Sequence, residues 1–346
     1  MRYINMDHAE PGMVVGKSIY NEEGNILVNY RVKLTESLID RMREKGLKGF
    51  YIEDALSRDI EVEDLISDEI GIKAAQALRE MDIDEAMSVA GEITDELSVR
   101  GGISVNLVSL RTISDYTYKH SVNVAVLSVL AGIGLGLKKS MLRDLAAAGL
   151  LHDIGKISIP PEIMEKTGPL TEDEYELIKQ HSELGYEAIK NNISISSKTK
   201  MGVFMHHENV NGSGYPMGLN GDQIYMFAKI IHIADVYDAL TSERAYKKAQ
   251  SPGEAIEFLM KNAGTMFQPE YVKAFITYIP VYPKGRNVIL SDGSVAVVVE
   301  NRQHHTLYPV VRRLSDGETI DLSEKAECEM WITGFESLGP ENKRVN

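Results

Sequence analysis

The stretch Leu150-Leu151-His152-Asp153-Ile154-Gly155-Lys156 decides how this chain is read. Upstream, Arg143 to Leu151 forms an apolar run that reads as a helix. His152 and Asp153 close that run, Gly155 follows as a helix terminator, and Pro160-Pro161 imposes a loop. A histidine and a carboxylate therefore sit side by side where a buried helix ends. Further out, the apolar stretch Val122 to Leu137 is too short for the roughly 20 residues of a membrane span and reads as a buried helix. Thr171-Glu172-Asp173-Glu174 is a capping-box start, which predicts one helix to about Asn191. Ile230 to Leu240 is another apolar helix, interrupted by Asp235 and Asp238.

Taken singly, a histidine on such a helix is a hydrogen-bonded core residue. Taken together, His120, His152, Asp153, His181, His206, His207 and Asp235 all lie in or beside apolar helical runs. Burying so many polar groups without partners costs several kcal/mol each, and metal coordination is one common solution. Imidazole and carboxylate ligands without thiolate suit iron, manganese or zinc. Seven ligands exceed what one ion takes, so two divalent ions bridged by a carboxylate are the expected count. Two such ions with a bridging hydroxide suit in-line attack on phosphorus, which makes phosphoester hydrolysis the expected reaction class.

Five ordered motifs then resemble the HD-GYP phosphodiesterases over residues 104–282: His152-Asp153-Ile154-Gly155-Lys156, Ile159-Pro160, His206-His207-Glu208, Gly212-Ser213-Gly214-Tyr215-Pro216 and Ile233-Ala234-Asp235-Val236-Tyr237-Asp238-Ala239-Leu240-Thr241. The resemblance implies an all-α HD-domain catalytic core that hydrolyses a cyclic dinucleotide, most often cyclic di-GMP, to the linear dinucleotide or to GMP. It implies metal ligation by His120, His152, Asp153, His181, His206, His207 and Asp235, with Asp153 as the bridge, and iron as the expected metal ahead of manganese or zinc. Lys156 resembles the lysine that contacts the scissile phosphate, and Tyr215 and Arg244 match positions that touch substrate phosphate. Gly214 and Pro216 shape their loop, and Asp238 matches a carboxylate that packs or stands behind a ligand. Some members add a third metal through a glutamate one helical turn before the first histidine. Position 116 here is Tyr116, so two metals are expected. Cyclic GMP-AMP is an alternative substrate, and a non-catalytic dinucleotide sensor or adaptor is the alternative to an enzyme.

The rest of the chain frames this core. Its 346 residues carry 37 Lys plus Arg against 51 Asp plus Glu, a net charge of −14 that argues against long nucleic acid as a partner. The deficit concentrates in residues 53–96, with 15 acidic residues against 3 basic ones, whereas residues 104–250 hold 16 acidic and 15 basic side chains. A small dianion near bound metal is compatible with that balance. The expected organisation is a small α+β module over 1–52, an acidic helical linker over 53–103, the catalytic domain over 104–282, and a β-rich module over 283–346. Protein or oligomer contacts would use the flanking modules. Gly132-Ile133-Gly134-Leu135-Gly136 lacks the preceding strand and spacing of a dinucleotide loop, so no organic cofactor is expected. One cysteine, Cys328, and no secretory leader are the marks expected of a cytoplasmic protein.

Overall fold

The computed structural model describes residues 1–21, 25–62, 64–100, 116–164, 166, 168–242, 249–279, 281–302, 305–325 and 330–336. They fall into two compact units, one drawn from residues 1–64 and 280–346 and one from 65–102 and 109–279.

The first unit opens with β1 (Arg2–Asn5), β2 (Val14–Val15), β3 (Ile19–Tyr20), β4 (Ile26–Val28), α1 (Glu36–Glu44) and β5 (Gly49–Glu53). Strands β1 and β2 flank β5 antiparallel, with Arg2 opposite Ile52 and Val14 opposite Glu53. Thr35 caps α1 by accepting from the Leu38 N–H, which aims Ile39 and Met42 at Ile4, Val15 and Phe50. Gly49 is required where it stands, because a Cβ would lie 2.3 Å from the Ile4 carbonyl oxygen.

The helical unit contains α2 (Asp68–Glu80), α3 (Ile83–Arg100), α4 (Tyr116–Gly134), α5 (Lys139–Leu151), α6 (Pro161–Met164), α7 (Glu172–Lys179), α8 (His181–Ile189), α9 (Ser197–Met205), α10 (Met226–Thr241), α11 (Pro252–Lys261) and α12 (Pro269–Tyr278). Helix α4 is apolar nearly all round, and it buries Val122, Val126, Leu127 and Leu130 while packing on α2, α3, α5, α10 and α12. Small residues set the closest crossings. A Cβ on Gly149 would fall 2.7 Å from Ala125 Cα, and one on Gly202 would fall 2.9 Å from Ala148 Cβ. These contacts draw α4, α5 and α9 together. No helix among the described residues is long and apolar enough to cross a membrane.

The chain then returns to the first unit with β6 (Asn287–Leu290), β7 (Val295–Glu300), β8 (Val310–Arg313), β9 (Thr319–Asp321), α13 (Leu322–Lys325) and β10 (Ile332–Phe335). The strands form an antiparallel sheet in the order β10-β6-β7-β8-β9.

Three sequence expectations change here. The terminal modules are one compact unit: the Tyr3 N–H donates to the Gly285 carbonyl at 2.7 Å, and Tyr3, Tyr51, Ile60 and Val62 pack against Val297. Arg312 adds two 2.7 Å hydrogen bonds to the Asp59 carboxylate and one of 2.9 Å to the Leu56 carbonyl. Within the segment expected as an acidic helical linker, the helices α2 and α3 are present but are not solvated connectors, because they bury Ala74, Val89, Ile93 and Leu97 against the helical unit. Asp95 ties α3 to α5 through Lys139 and Arg143. Finally, the helix expected from Thr171 to Asn191 is two helices. The capping box forms, but the His181 ring takes the Ile178 carbonyl and the Ser182 hydroxyl takes that of Lys179, so side chains replace backbone donors at the break.

Candidate metal centre

Three histidines are fixed by one device. The last carbonyls of a helix lack intrahelical partners. His152 Nδ1 bonds the Gly149 carbonyl at 2.8 Å, His181 Nδ1 that of Ile178 at 2.7 Å, and His206 Nδ1 that of Val203 at 2.7 Å. Each ring therefore sits three residues past a free carbonyl at the end of α5, α7 or α9. A carbonyl only accepts, so the tautomer that fits each site as a neutral imidazole carries its proton on Nδ1 and presents a lone pair at Nε2. His181 Nε2 and His206 Nε2 face each other at 3.1 Å. Two lone pairs cannot hydrogen-bond to one another. His152 Nε2 and Asp153 Oδ1 are buried with no hydrogen-bond partner among the described residues. Electron-pair donors converging without protons between them is the arrangement a cation satisfies, so the residues present fit a metal centre.

The carboxylates complete it. Asp153 Oδ1 lies 3.4 Å from His181 Nε2, while Oδ2 lies 3.3 Å from His152 Nε2 and 3.8 Å from His120 Nε2. Asp153 thus belongs to two sets whose ligand atoms lie within 4.8 Å of one another: Asp153, His181, His206 and His207, and His120, His152 and Asp153. A third set joins His207, His232 and Asp235. Asp235 Oδ1 also lies 3.1 Å from His120 Nε2. Behind His120, Asp238 Oδ2 accepts from Nδ1 at 2.7 Å, and its Oδ1 accepts from Asn123 Nδ2 at 2.7 Å.

Burial and neighbouring charge set the protonation of these groups. Burial pushes His206 and His207 well below the ordinary imidazole value, and it lowers His181 as well. Burial alone would also lower His120, but hydrogen bonds to Asp235 and Asp238 outweigh it and raise the ring to about 10 in the metal-free protein. Burial would raise Asp153, yet the Lys156 ammonium beside it holds it well below the usual carboxylate range. Lys156, on the 3-10 turn Ile154–Ser158, places Nζ 2.5 Å from Asp153 Oδ2.

The glycine-rich loop folds back onto this cluster. A Cβ on Gly214 would meet the Asn209 nitrogen at 2.3 Å and the His207 carbonyl oxygen at 2.4 Å, so only glycine allows that approach. The Tyr215 N–H then bonds the His207 carbonyl at 3.1 Å, and the Tyr215 ring stacks on His207 with centroids 4.7 Å apart. The Tyr215-Pro216 peptide is cis. Buried Glu208 accepts from the N–H groups of Met217 at 2.7 Å and Leu219 at 2.8 Å. His232 Nε2 lies 3.1 Å from Asn209 Oδ1.

The structure thus brings together His120, His152, Asp153, Lys156, His181, His206, His207, Asp235 and Asp238, with Gly214, Tyr215 and Pro216 on the adjoining loop. Arg244 and Cys328 lie outside the described residues. Sequence reasoning missed Asn123 and the anchoring role of Glu208. Asn123 follows His120 by three residues on one helix face, a spacing that could have flagged it.

Residues 110–271 match the model of a family described as HD domain. That segment of the chain is similar to an HD domain. The chain is 34% identical over 259 residues to a cyclic di-GMP phosphodiesterase of Pseudomonas aeruginosa, covering 71% of this chain and 62% of the relative. It is 33% identical over 217 residues to a cyclic di-GMP phosphodiesterase of Borreliella burgdorferi, covering 62% of this chain and 57% of that one. The chain therefore spans about three fifths of the length of these curated relatives. Among solved structures, an HDG"Y"P protein of Bdellovibrio bacteriovorus superposes with a TM-score of 0.50 at 16% identity, covering 79% of this chain and 97% of that one. That likeness concerns the fold.

Proposed function

We propose that this protein is a metal-dependent phosphodiesterase that cleaves cyclic di-GMP to the linear dinucleotide, to GMP, or to both. The observation that carries the reading is the pair of His181 and His206 Nε2 atoms at 3.1 Å, each ring having its Nδ1 committed to a carbonyl. The curated relatives and the resemblance to the HD-GYP motifs support the choice of substrate.

In this reading His120, His152, Asp153, His181, His206, His207 and Asp235 hold two divalent ions, with iron favoured and manganese or zinc as alternatives. Asp153 presents one oxygen to each ligand set. Such ions, when bound, supply Lewis-acid stabilisation of phosphoryl charge and make water nucleophilic at neutral pH. The chain's own residues do the positioning. Asp238 fixes the His120 ring through Nδ1, and backbone carbonyls fix His152, His181 and His206 the same way. Lys156 is an ammonium beside the proposed bridging carboxylate, placed to steady charge on the leaving 3′-oxygen. Tyr215 and Arg244 contact substrate phosphate, and Gly214 and Pro216 hold the loop that carries Tyr215.

Anaerobic purification with metal analysis, followed by product identification from a panel of cyclic dinucleotides, tests this reading. Bound metal with turnover of cyclic di-GMP supports it. Preferential turnover of cyclic GMP-AMP reassigns the substrate, and tight binding of intact dinucleotide by the metal-loaded protein without hydrolysis makes it a sensor.

A further inference from the structure

A column of side chains leads out of the histidine cluster. Tyr215 stacks on His207 with ring centroids 4.7 Å apart. The Lys179 ammonium then lies 5.8 Å from the Tyr215 centroid and 5.5 Å from that of Tyr175. Lys179 is the last residue of α7, two positions before His181, whose own ring is pinned to the carbonyl of Ile178. The break between α7 and α8 thus holds a metal-ligand candidate and this lysine in one short segment. Tyr175, one helical turn earlier, is 50% exposed. The other partner of Lys179 is Glu176, whose Oε1 lies 2.5 Å away on a side chain that is 59% exposed. The Lys179 side chain is half-buried, and an i,i+3 pair with an exposed partner of this kind contributes little.

We propose that Tyr175 and Lys179 form a nucleotide subsite beside the metal centre, the Tyr175 ring receiving the face of a nucleobase and the Lys179 ammonium receiving a phosphate of the same ligand. This rests on the cyclic dinucleotide reading above. A ring-closed dinucleotide that places one phosphate at Asp153 and Lys156 must lay a base and its second phosphate alongside. The column from His207 through Tyr215 to Tyr175 supplies an aromatic face and a cation in that sequence. Stacking on an aromatic face tolerates any base. Lys179 also offsets the acidic run Glu172-Asp173-Glu174 on α7, which would otherwise repel a dianion.

The test compares the metal-loaded wild type with Tyr175→Ala, Tyr175→Phe and Lys179→Met. Its readout is the ratio of kcat/KM for cyclic di-GMP to that for bis(p-nitrophenyl) phosphate, a diester with no base and no second phosphate. The ratio is expected to fall about tenfold or more in Tyr175→Ala and Lys179→Met and to be retained in Tyr175→Phe. An unchanged ratio in Tyr175→Ala or in Lys179→Met overturns the subsite, whether both rates persist or fall together, and leaves the phosphodiesterase reading standing. If the wild type cleaves neither substrate, that reading fails. The subsite is then judged by equilibrium binding of the phosphorothioate analogue of cyclic di-GMP: about tenfold weaker binding in Tyr175→Ala supports it, and equal or undetectable binding in both proteins overturns it.

Discussion

Replacing Asp238 by alanine probes how the centre is held without touching an atom that faces its interior. The carboxylate accepts two hydrogen bonds of 2.7 Å, from His120 Nδ1 and from Asn123 Nδ2. All three side chains are buried, so Asp238→Ala strands two donors away from water. Each such donor costs about 1–3 kcal/mol, which places the loss of stability in the metal-free protein at roughly 2–6 kcal/mol. Losing a carboxylate that orients a ligating imidazole typically weakens metal binding about 10- to 100-fold, equivalent to about 1.4–2.7 kcal/mol. Asp238→Asn keeps one acceptor oxygen and should fall between alanine and wild type. Adding Asn123→Ala to Asp238→Ala should cost far less than Asn123→Ala alone, because the two residues share the interaction. Chelator competition with manganese gives the affinity and thermal unfolding gives the stability. A folded Asp238→Ala protein whose metal affinity stays within about twofold of wild type would refute the assignment of His120 to the centre.

Gly155→Ala should cost about 1–3 kcal/mol or more and lower metal content, since the new Cβ would lie 2.0 Å from the His181 carbonyl oxygen and 2.4 Å from the Gly185 nitrogen, both backbone atoms; thermal unfolding with metal analysis checks it. Glu208→Ala removes the acceptor for the Met217 and Leu219 N–H groups, so the glycine-rich loop should lose roughly 2 kcal/mol or more of anchoring and be cut faster in limited proteolysis. In the first unit, Arg312 holds Asp59 at about 2, below its ordinary 3.8. A depressed carboxylate stabilises the fold above its unfolded value and loses that contribution as pH falls toward the folded one. The stability difference between wild type and Arg312→Ala should therefore be constant from pH 7 to about pH 5 and shrink between about 4 and 2. Because Asp59 is largely exposed, that part of the difference should not exceed about 1 kcal/mol.

The members of the histidine and carboxylate cluster were legible because they interrupt apolar helices, and His152, His206 and Asp235 stand out against Leu151, Val203 and Ile233 by polarity alone. The capping box at Thr171 was equally legible. The end of that helix was not: the break at Gln180 arises when the His181 ring competes for a backbone carbonyl, and this leaves no mark on periodicity. Strand β1 escaped notice because Arg2–Asn5 is short and takes its pairing from β5, nearly fifty residues away. The union of the terminal segments rests on still longer-range contacts, Tyr3 with Gly285 and Asp59 with Arg312. The helices of the acidic segment 53–96 were legible from apolar spacing, but its charge disguised the burial of their apolar faces, since charge dominates composition while spacing decides packing. Asp238 showed in sequence as a carboxylate on the right helix, but only the fold brings it against His120.

The most direct test of the central claim is product analysis on anaerobically purified, metal-loaded protein incubated with cyclic di-GMP, beside His152→Ala and Asp153→Ala. The wild type is expected to carry divalent metal and to release linear dinucleotide or GMP, while both variants lose metal and turnover together. Hydrolysis that persists in the metal-depleted variants, or a fully metal-loaded wild type that leaves every cyclic dinucleotide intact, would contradict the account.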